Sequence, residues 1–253
     1  MGIQKKFTIA VNKKVCGRFY RMQIDARSLA QKIRPGQFVH IRVGDGLEPF
    51  FRRPFSVHRA RKNIEILYEV VGRGTEALSQ KKKGETLDIL GPLGNSFRMP
   101  GQGVRHVVMI AGGVGVAPFL ILTDALKKKK CDMILLYGGR TKGHVFSMKE
   151  FRQNGCRVHI ATDDGSAGVK GRVSKLFPEI PKDKTMIYAC GPRPMMATVQ
   201  KFAREHSLEG QASCEEVMAC GLGACLGCVI QTRQGFRTVC KDGPIFELQD
   251  IVL

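Results

Sequence analysis

Four cysteines near the end of the chain constrain it more than any other feature. Cys220, Cys225, Cys228 and Cys240 follow the spacing C-x4-C-x2-C-x11-C. An x4 and then x2 spacing, with a fourth thiolate further along, is the ligand pattern of the plant-type [2Fe–2S] loop. A loop that supplies three ligands to one cluster must curl tightly. Gly221, Gly223 and Gly227 permit that curl and let backbone N–H groups approach the sulfurs. A centre of this type moves one electron at a time, so the spacing predicts a protein that handles electrons. A structural zinc site made of four cysteines usually shows two CxxC pairs. Here only Cys225 and Cys228 form one, which leaves zinc as the alternative occupant.

The other cysteines add little. Cys16, Cys131, Cys156 and Cys214 lie outside the ligand pattern and are expected to pack as small buried hydrophobes. The first residues run straight into a strand-like segment at 7–11, too short for a signal-peptide core. A cytoplasmic location with reduced thiols is the expectation. Lys6 stands where a myristoylation signal at Gly2 would need Ser or Thr.

At 253 residues the chain can form two ordinary domains and a small third part. No uninterrupted apolar stretch is long enough to span a membrane. The 41 basic side chains outnumber the 22 acidic ones, for a net charge of +19. Nucleic-acid binding is the first reading of such an excess. The basic residues are spread along the chain, however, with no Trp, no RNA-binding aromatic motif and no zinc-finger spacing. A solvated basic surface, complementary to an acidic partner, fits better.

Periodicity divides the chain in three. Residues 1–100 carry short alternating or apolar runs at 7–11, 20–24, 38–43, 64–71 and 86–90, separated by Gly/Pro turns. These predict an antiparallel β-barrel. Residues 101–211 alternate apolar strands at 107–111, 133–137, 158–161 and 185–189 with helical stretches at 119–130, 147–153 and 194–205. That alternation predicts a doubly wound parallel α/β sheet. Residues 212–253 hold the cysteine loop and a hairpin of 229–232 with 237–239, turning at Gln234-Gly235.

Several glycine-rich turns in the middle part sit where a phosphate would bind. Gly112, Gly113 and Gly115 follow an apolar strand and lead, through Pro118, into a helix. In that context backbone N–H groups can hold a pyrophosphate. Tyr137-Gly138-Gly139-Arg140, Asp163-Asp164-Gly165 and Cys190-Gly191-Pro192 each close a further strand. In a parallel sheet those ends share one edge, where ligands bind. In the first part, Arg52-Arg53-Pro54-Phe55-Ser56 offers a rigidly held guanidinium for a phosphate. Gly72-Arg73-Gly74-Thr75 offers unblocked backbone donors for another.

Taken in order, Arg53-Pro54-Phe55-Ser56, Gly74-Thr75, the run from Gly112 to Pro118 and Cys190-Gly191-Pro192 resemble the ferredoxin–NADP reductase superfamily. The segment from Ser213 to Cys228, with Val239-Cys240-Lys241-Asp242-Gly243-Pro244 after it, narrows the likeness. It resembles the electron-transfer subunits of NAD-dependent (B-type) dihydroorotate dehydrogenases. The resemblance implies FAD in the barrel, bordered by Arg53, Pro54, Phe55 and Ser56. Leu67, Tyr68 and Glu69 would line the strand beside the flavin, and Gly74 and Thr75 would meet its pyrophosphate. NAD would lie on Gly112, Gly113, Gly115, Pro118, Gly191 and Pro192, with Cys190 as the candidate catalytic thiol. The partner implied is an FMN-containing catalytic subunit that oxidises dihydroorotate in de novo pyrimidine (UMP) biosynthesis, in a heterotetramer with two copies of each subunit. A rival on the same chassis is the small subunit of an NAD(P)H-dependent ferredoxin, sulfide or hydrogenase oxidoreductase. Some of those carry Asp where this chain has Cys220. A zinc-binding or redox-sensing regulatory module is the non-enzymatic alternative.

Overall fold

The computed structural model describes residues 2–44, 46 and 48–253. Six antiparallel strands close the first part into a barrel. They are β1 (Ile3–Cys16), β2 (Phe19–Asp25), β3 (Phe38–Arg42), β4 (Arg53–Ala60), β5 (Ile64–Glu69) and β6 (Thr86–Leu93), in the spatial order β1-β2-β5-β4-β3-β6. Closure depends on β1, which is far longer than the five residues expected from the sequence. Its Thr8 stands opposite Asp25 of β2 on one edge and Thr86 of β6 on the other. Alternation fills the interior: Ile64, Ile66 and Tyr68 point inward from β5, to meet Ile9, Met22, Ile24, Val39, Ile41 and Ile89.

Three elements of the first part go beyond the expectation. β4 is a full strand, although it follows Arg52 and opens with an arginine and a proline. Pro54 is tolerated because β4 pairs with β5 only from Val57 onward, so near Pro54 only the β3 side is paired. A one-turn helix, α1 (Arg27–Ala30), follows β2, and residues 73–75 begin a helix, α2 (Arg73–Gln80), rather than a loop. The Thr75 hydroxyl accepts the Val71 N–H at 2.9 Å and donates to the Gly72 carbonyl at 3.0 Å, which fixes that start.

The second part is the doubly wound sheet. Its strands are β7 (His106–Gly112), β8 (Asp132–Gly139), β9 (Cys156–Thr162), β10 (Val169–Lys170), β11 (Thr185–Cys190) and β12 (Glu209–Ser213). The helices are α3 (Phe119–Leu126), α4 (Met148–Gln153) and α5 (Arg193–Glu205). α3 stops before the four consecutive lysines expected at its end, where like charges one turn apart would repel. Beyond these lie β13 (Val229–Thr232), β14 (Gly235–Thr238) and β15 (Ile245–Glu247). The sheet order is β10-β9-β8-β7-β11-β12-β15. The chain winds outward from β7 to β10 and then crosses back to β11, so the switch point lies between the ends of β7 and β11.

The cysteine segment is not a separate appendage. The boundary expected after residue 211 falls inside β12, which pairs in parallel with β11. On its other side β15 pairs antiparallel, Gln211 opposite Glu247 and Ser213 opposite Ile245. A small core of Phe38 and Leu93 from the barrel with Met218, Cys228, Val239 and Cys240 joins the segment to the first part as well. Among the described residues no helix is long and apolar enough to cross a membrane.

Candidate functional site

The strand ends converge as their glycines suggest. A cleft of about 470 Å³ opens along one sheet edge, lined by Gly112, Gly113 and Gly115, by Gly138, Gly139, Arg140 and Asp163, and by Gly191 and Pro192. The barrel closes it with Phe19 and Glu69, and the cysteine segment contributes Glu215. Close approach explains the glycines. A Cβ on Gly115 would lie 2.4 Å from the Cys190 carbonyl oxygen, and one on Gly112 2.8 Å from Pro192 Cδ. Gly113 has a left-handed backbone, φ +55°, with open space beside it. Pro118 precedes the first turn of α3, with φ −73°, and shapes the helix entry from behind the lining.

Cys190 is fully buried, behind Gly191. Burial, with the Glu215 carboxylate next, pushes its thiol well above the ordinary range and favours the neutral form. Its Sγ lies 3.9 Å from Glu215 Oε1. The surrounding protein raises the Glu215 carboxyl too, although that residue opens into the cleft. Tyr137 and Glu215 fall inside motifs that carried no role for their side chains, and Phe19 was not marked by any local motif.

The two phosphate-suited segments of the barrel meet. The Arg53 guanidinium lies across Gly74, where a Cβ would come 2.6 Å from Nε, and Nη1 donates to the Phe51 carbonyl at 2.6 Å. A side chain at position 74 would push this arginine aside. Thr75 spends its hydroxyl on the helix start, so it offers a cofactor its backbone alone. Phe55 and Tyr68 point into the barrel core, and the Tyr68 hydroxyl donates to Asn12 Oδ1 at 3.0 Å. Leu67 faces outward but packs into the core of the second part. Packing claims the side chains of Phe55, Leu67 and Tyr68, so the expectation that these residues border a flavin concerns their backbone. Pro54 and Ser56 stay half-buried, and Glu69 reaches the cleft, where it pairs with Arg18 at 2.7 Å.

A polar seam that the sequence did not reveal fixes the barrel to the sheet. Buried His58 contacts the Ala117 carbonyl and Ser147 Oγ, each at 2.9 Å, and burial lowers it to about 4, so it is neutral. Arg59 holds Asp124 with two bonds of 2.8 and 3.0 Å, and Arg21 reaches Glu150 at 2.5 Å. These pairs span 65 and 129 residues of sequence.

In the cysteine loop, backbone N–H groups point at sulfur. Cys220 Sγ accepts from Leu222 at 3.4 Å and Cys225 at 3.5 Å, Cys240 Sγ from Gly223 at 3.1 Å, and Cys228 Sγ from Cys240 at 3.4 Å. Such donors favour thiolates. Burial alone would raise Cys220, yet the donors outweigh it and bring it down to about 6. Among the described residues no three His, Cys, Asp or Glu side chains gather round a point suited to one metal ion. Four cysteines with backbone N–H donors on three of their sulfurs fit the thiolate set of a [2Fe–2S] cluster. Cys225 is exposed, Cys220 half-buried, Cys228 and Cys240 buried. Of the other cysteines, Cys156 is buried and Cys131 and Cys214 are half-buried, whereas Cys16 is exposed at the end of β1, against expectation.

A closed barrel, a doubly wound sheet with its cleft at the switch point, and a four-thiolate loop packed on both define an iron–sulfur oxidoreductase of the ferredoxin-reductase type. Residues 109–201 match the oxidoreductase NAD-binding domain. Residues 215–252 match the iron–sulfur cluster binding domain of dihydroorotate dehydrogenase B. The chain is 38% identical, over 92% of each sequence, to the dihydroorotate dehydrogenase B (NAD(+)) electron transfer subunit of Desulforamulus reducens. It is 35% identical, over 99% of each, to that of Bacillus caldolyticus. A solved NADH-dependent reduced ferredoxin-NADP oxidoreductase, studied for flavin-based electron bifurcation, shares 31% identity with a TM-score of 0.86, over 97% of this chain and 89% of that one. The ferredoxin reductase of carbazole 1,9a-dioxygenase, at 21% identity and a TM-score of 0.70, shares the fold. The chain belongs to the family of dihydroorotate dehydrogenase B (NAD(+)) electron transfer subunits.

Proposed function

We propose that this chain carries electrons between an FMN-containing dihydroorotate dehydrogenase subunit and NAD+, through a [2Fe–2S] cluster and FAD. Bound FAD supplies the conversion between the hydride of NADH and the single electrons of a [2Fe–2S] centre. The chain's own residues then have separate tasks. The turn at Gly112, Gly113 and Gly115 binds the dinucleotide pyrophosphate, and Gly191 and Pro192 shape the nicotinamide end. Arg53 and the Gly74–Thr75 backbone hold the flavin phosphates, beside Pro54 and Ser56. Cys220, Cys225, Cys228 and Cys240 hold the iron.

The observation that carries this reading is the packing of the cysteine loop on the flavin-type barrel. Gly221 lies against His40 of β3, where a Cβ would come 2.5 Å from Nδ1, and His40 stands opposite Pro54 of the arginine strand. The thiolate loop and the phosphate-binding strand thus both lie against β3. The outer rim of the loop is apolar: Leu222 is 57% and Leu226 64% exposed, with Phe236 of the nearby hairpin at 74%. Exposed apolar side chains of this size mark an interaction surface, and Arg233 and Arg237 beside them favour an acidic partner. A heterotetramer with two copies of each subunit is the proposed assembly.

Isolated chain is expected to oxidise NADH with artificial acceptors and to leave dihydroorotate untouched. Co-expression with the catalytic subunit should restore dihydroorotate-dependent reduction of NAD+, with a native mass of two copies of each. Turnover of dihydroorotate by the isolated chain would overturn this division of labour. The likeness to the NADH-dependent ferredoxin-NADP oxidoreductase favours a second reading, a small subunit of such an enzyme. Affinity isolation from the native cell separates the two by the FMN or FAD content of the subunit that co-purifies.

A further inference from the structure

We propose that Tyr137 is a positioning residue for the dinucleotide: its buried hydroxyl holds the Gly113–Val114 peptide with the Val114 N–H turned toward the bound pyrophosphate. The inference rests on the reading that a dinucleotide occupies this cleft. Tyr137 lies in β8, one strand away from the turn it supports, and is fully buried. Its hydroxyl donates to the Gly113 carbonyl at 3.0 Å and accepts the Phe146 N–H at 3.1 Å. Both capacities of the phenol are therefore used, one on each side.

A trans peptide points its C=O and its N–H in opposite directions. With the Gly113 carbonyl drawn inward to Tyr137, the Val114 N–H of the same unit turns outward, and Gly113 and Val114 line the cleft. The turn needs this external hold. Gly113 has φ +55° and nothing within 4 Å of its Cβ position, so no side-chain packing fixes the plane of that peptide. A glycine peptide free to rotate would present its carbonyl to a phosphate part of the time, and that is repulsive. Burial raises the Tyr137 phenol far above its ordinary value, so it keeps the proton it donates at neutral pH. The hydroxyl also ties the turn to the segment after residue 142, whose His144 lines the same cleft.

The test is Tyr137→Phe, which removes one oxygen and keeps the ring. Holoprotein is titrated with ADP-ribose, which carries the pyrophosphate, and with adenosine, which does not. ADP-ribose should bind about tenfold more weakly to the variant, the loss of one oriented charge-assisted bond, while adenosine binding is unchanged. In steady state the KM for NADH should rise with kcat kept within twofold, and the flavin and cluster spectra should stay the same. A role in stability alone would lower the melting temperature without that split between the two ligands. Equal ADP-ribose affinity in Tyr137→Phe and the unaltered chain would overturn the role of Tyr137 and leave the dinucleotide site standing. Failure of the unaltered chain to bind ADP-ribose would overturn both.

Discussion

Replacing Gly115 by Ala should damage dinucleotide binding more than any other single-methyl change in the cleft. The added Cβ would lie 2.4 Å from the Cys190 carbonyl oxygen, 2.8 Å from its carbon and 2.9 Å from Gly191 Cα. Every one of these is backbone, and none can rotate away. The strand they belong to is locked on both sides, Cys190 opposite Ala111 of β7 and opposite Ser213 of β12. The turn must therefore move, by about 1 Å, to restore ordinary contact. Overpacking of this type costs about 1–3 kcal/mol, and each kcal/mol lowers Tm by about 2–4 °C in a chain of this size. A displacement of about 1 Å at a positioning element can cost on the order of 100-fold in productive binding. Gly113→Ala is the internal control: its Cβ meets nothing, so only the left-handed backbone is strained, at about 1–2 kcal/mol. Scanning calorimetry and NAD+ titration followed by flavin fluorescence measure both quantities. Gly115→Ala should lose at least tenfold more NAD+ affinity than Gly113→Ala at a comparable loss of Tm. If Gly115→Ala keeps NAD+ affinity within twofold, the steric argument is wrong.

Cys240→Ser should abolish the iron–sulfur absorption and the acid-labile sulfide, whereas Cys214→Ser should leave both intact; loss of sulfide from Cys214→Ser would redraw the ligand set. Gly74→Ala should displace the Arg53 guanidinium and weaken FAD retention as Arg53→Ala does, by about 1.5–3 kcal/mol for one charge-assisted bond, read from equilibrium dialysis of the flavin. Burial alone would raise the Asp124 carboxyl, but the bonds from Arg59 and Arg61 outweigh it and hold it below its ordinary 3.8. A depressed carboxyl contributes stability above its unfolded value and loses it as pH falls through its folded one. Urea midpoints should therefore drop below about pH 4 by more in the unaltered chain than in Asp124→Asn, and equal drops would show that the seam does not depend on that charge.

The barrel and the sheet were largely legible because burial imposes a period on each strand. Ile64, Ile66 and Tyr68 alternate with Glu65, Leu67 and Glu69, and the apolar runs of β7, β8 and β11 are buried on both faces. The misses have physical causes. β12 reads Glu-Gly-Gln-Ala-Ser, with no large apolar side chain, and is buried only because β11 and β15 flank it. β4 hides behind two arginines, since its inward residues are only Phe55 and Val57. The cysteine ligands stood out because metal chemistry fixes their local spacing. The roles of Glu215 and His58 did not, because each depends on a partner that the chain brings in from far away.

The way the cysteine segment is held bears on how the proposed electron path works. A loop that only trailed from the sheet would sample many distances from the flavin barrel, and electron transfer would be gated by that motion. Here the loop is held from two directions. β15 adds to the sheet edge just beyond Cys240, with Ser213 opposite Ile245. From the barrel, Asn95 donates to the carbonyls of Asp242 at 3.0 Å and Ile245 at 2.7 Å, and accepts the Ile245 N–H at 2.9 Å. Phe38 and Leu93 pack against Cys228 and Cys240 from the same side. The segment just beyond Cys240 is thus held by strand pairing to the sheet and by the Asn95 side chain to the barrel. The separation between iron and flavin is then set by the fold, and the exposed Leu222 and Leu226 rim is left free for a partner. Assembly can therefore determine which subunit exchanges electrons with the cluster without altering the path inside this chain.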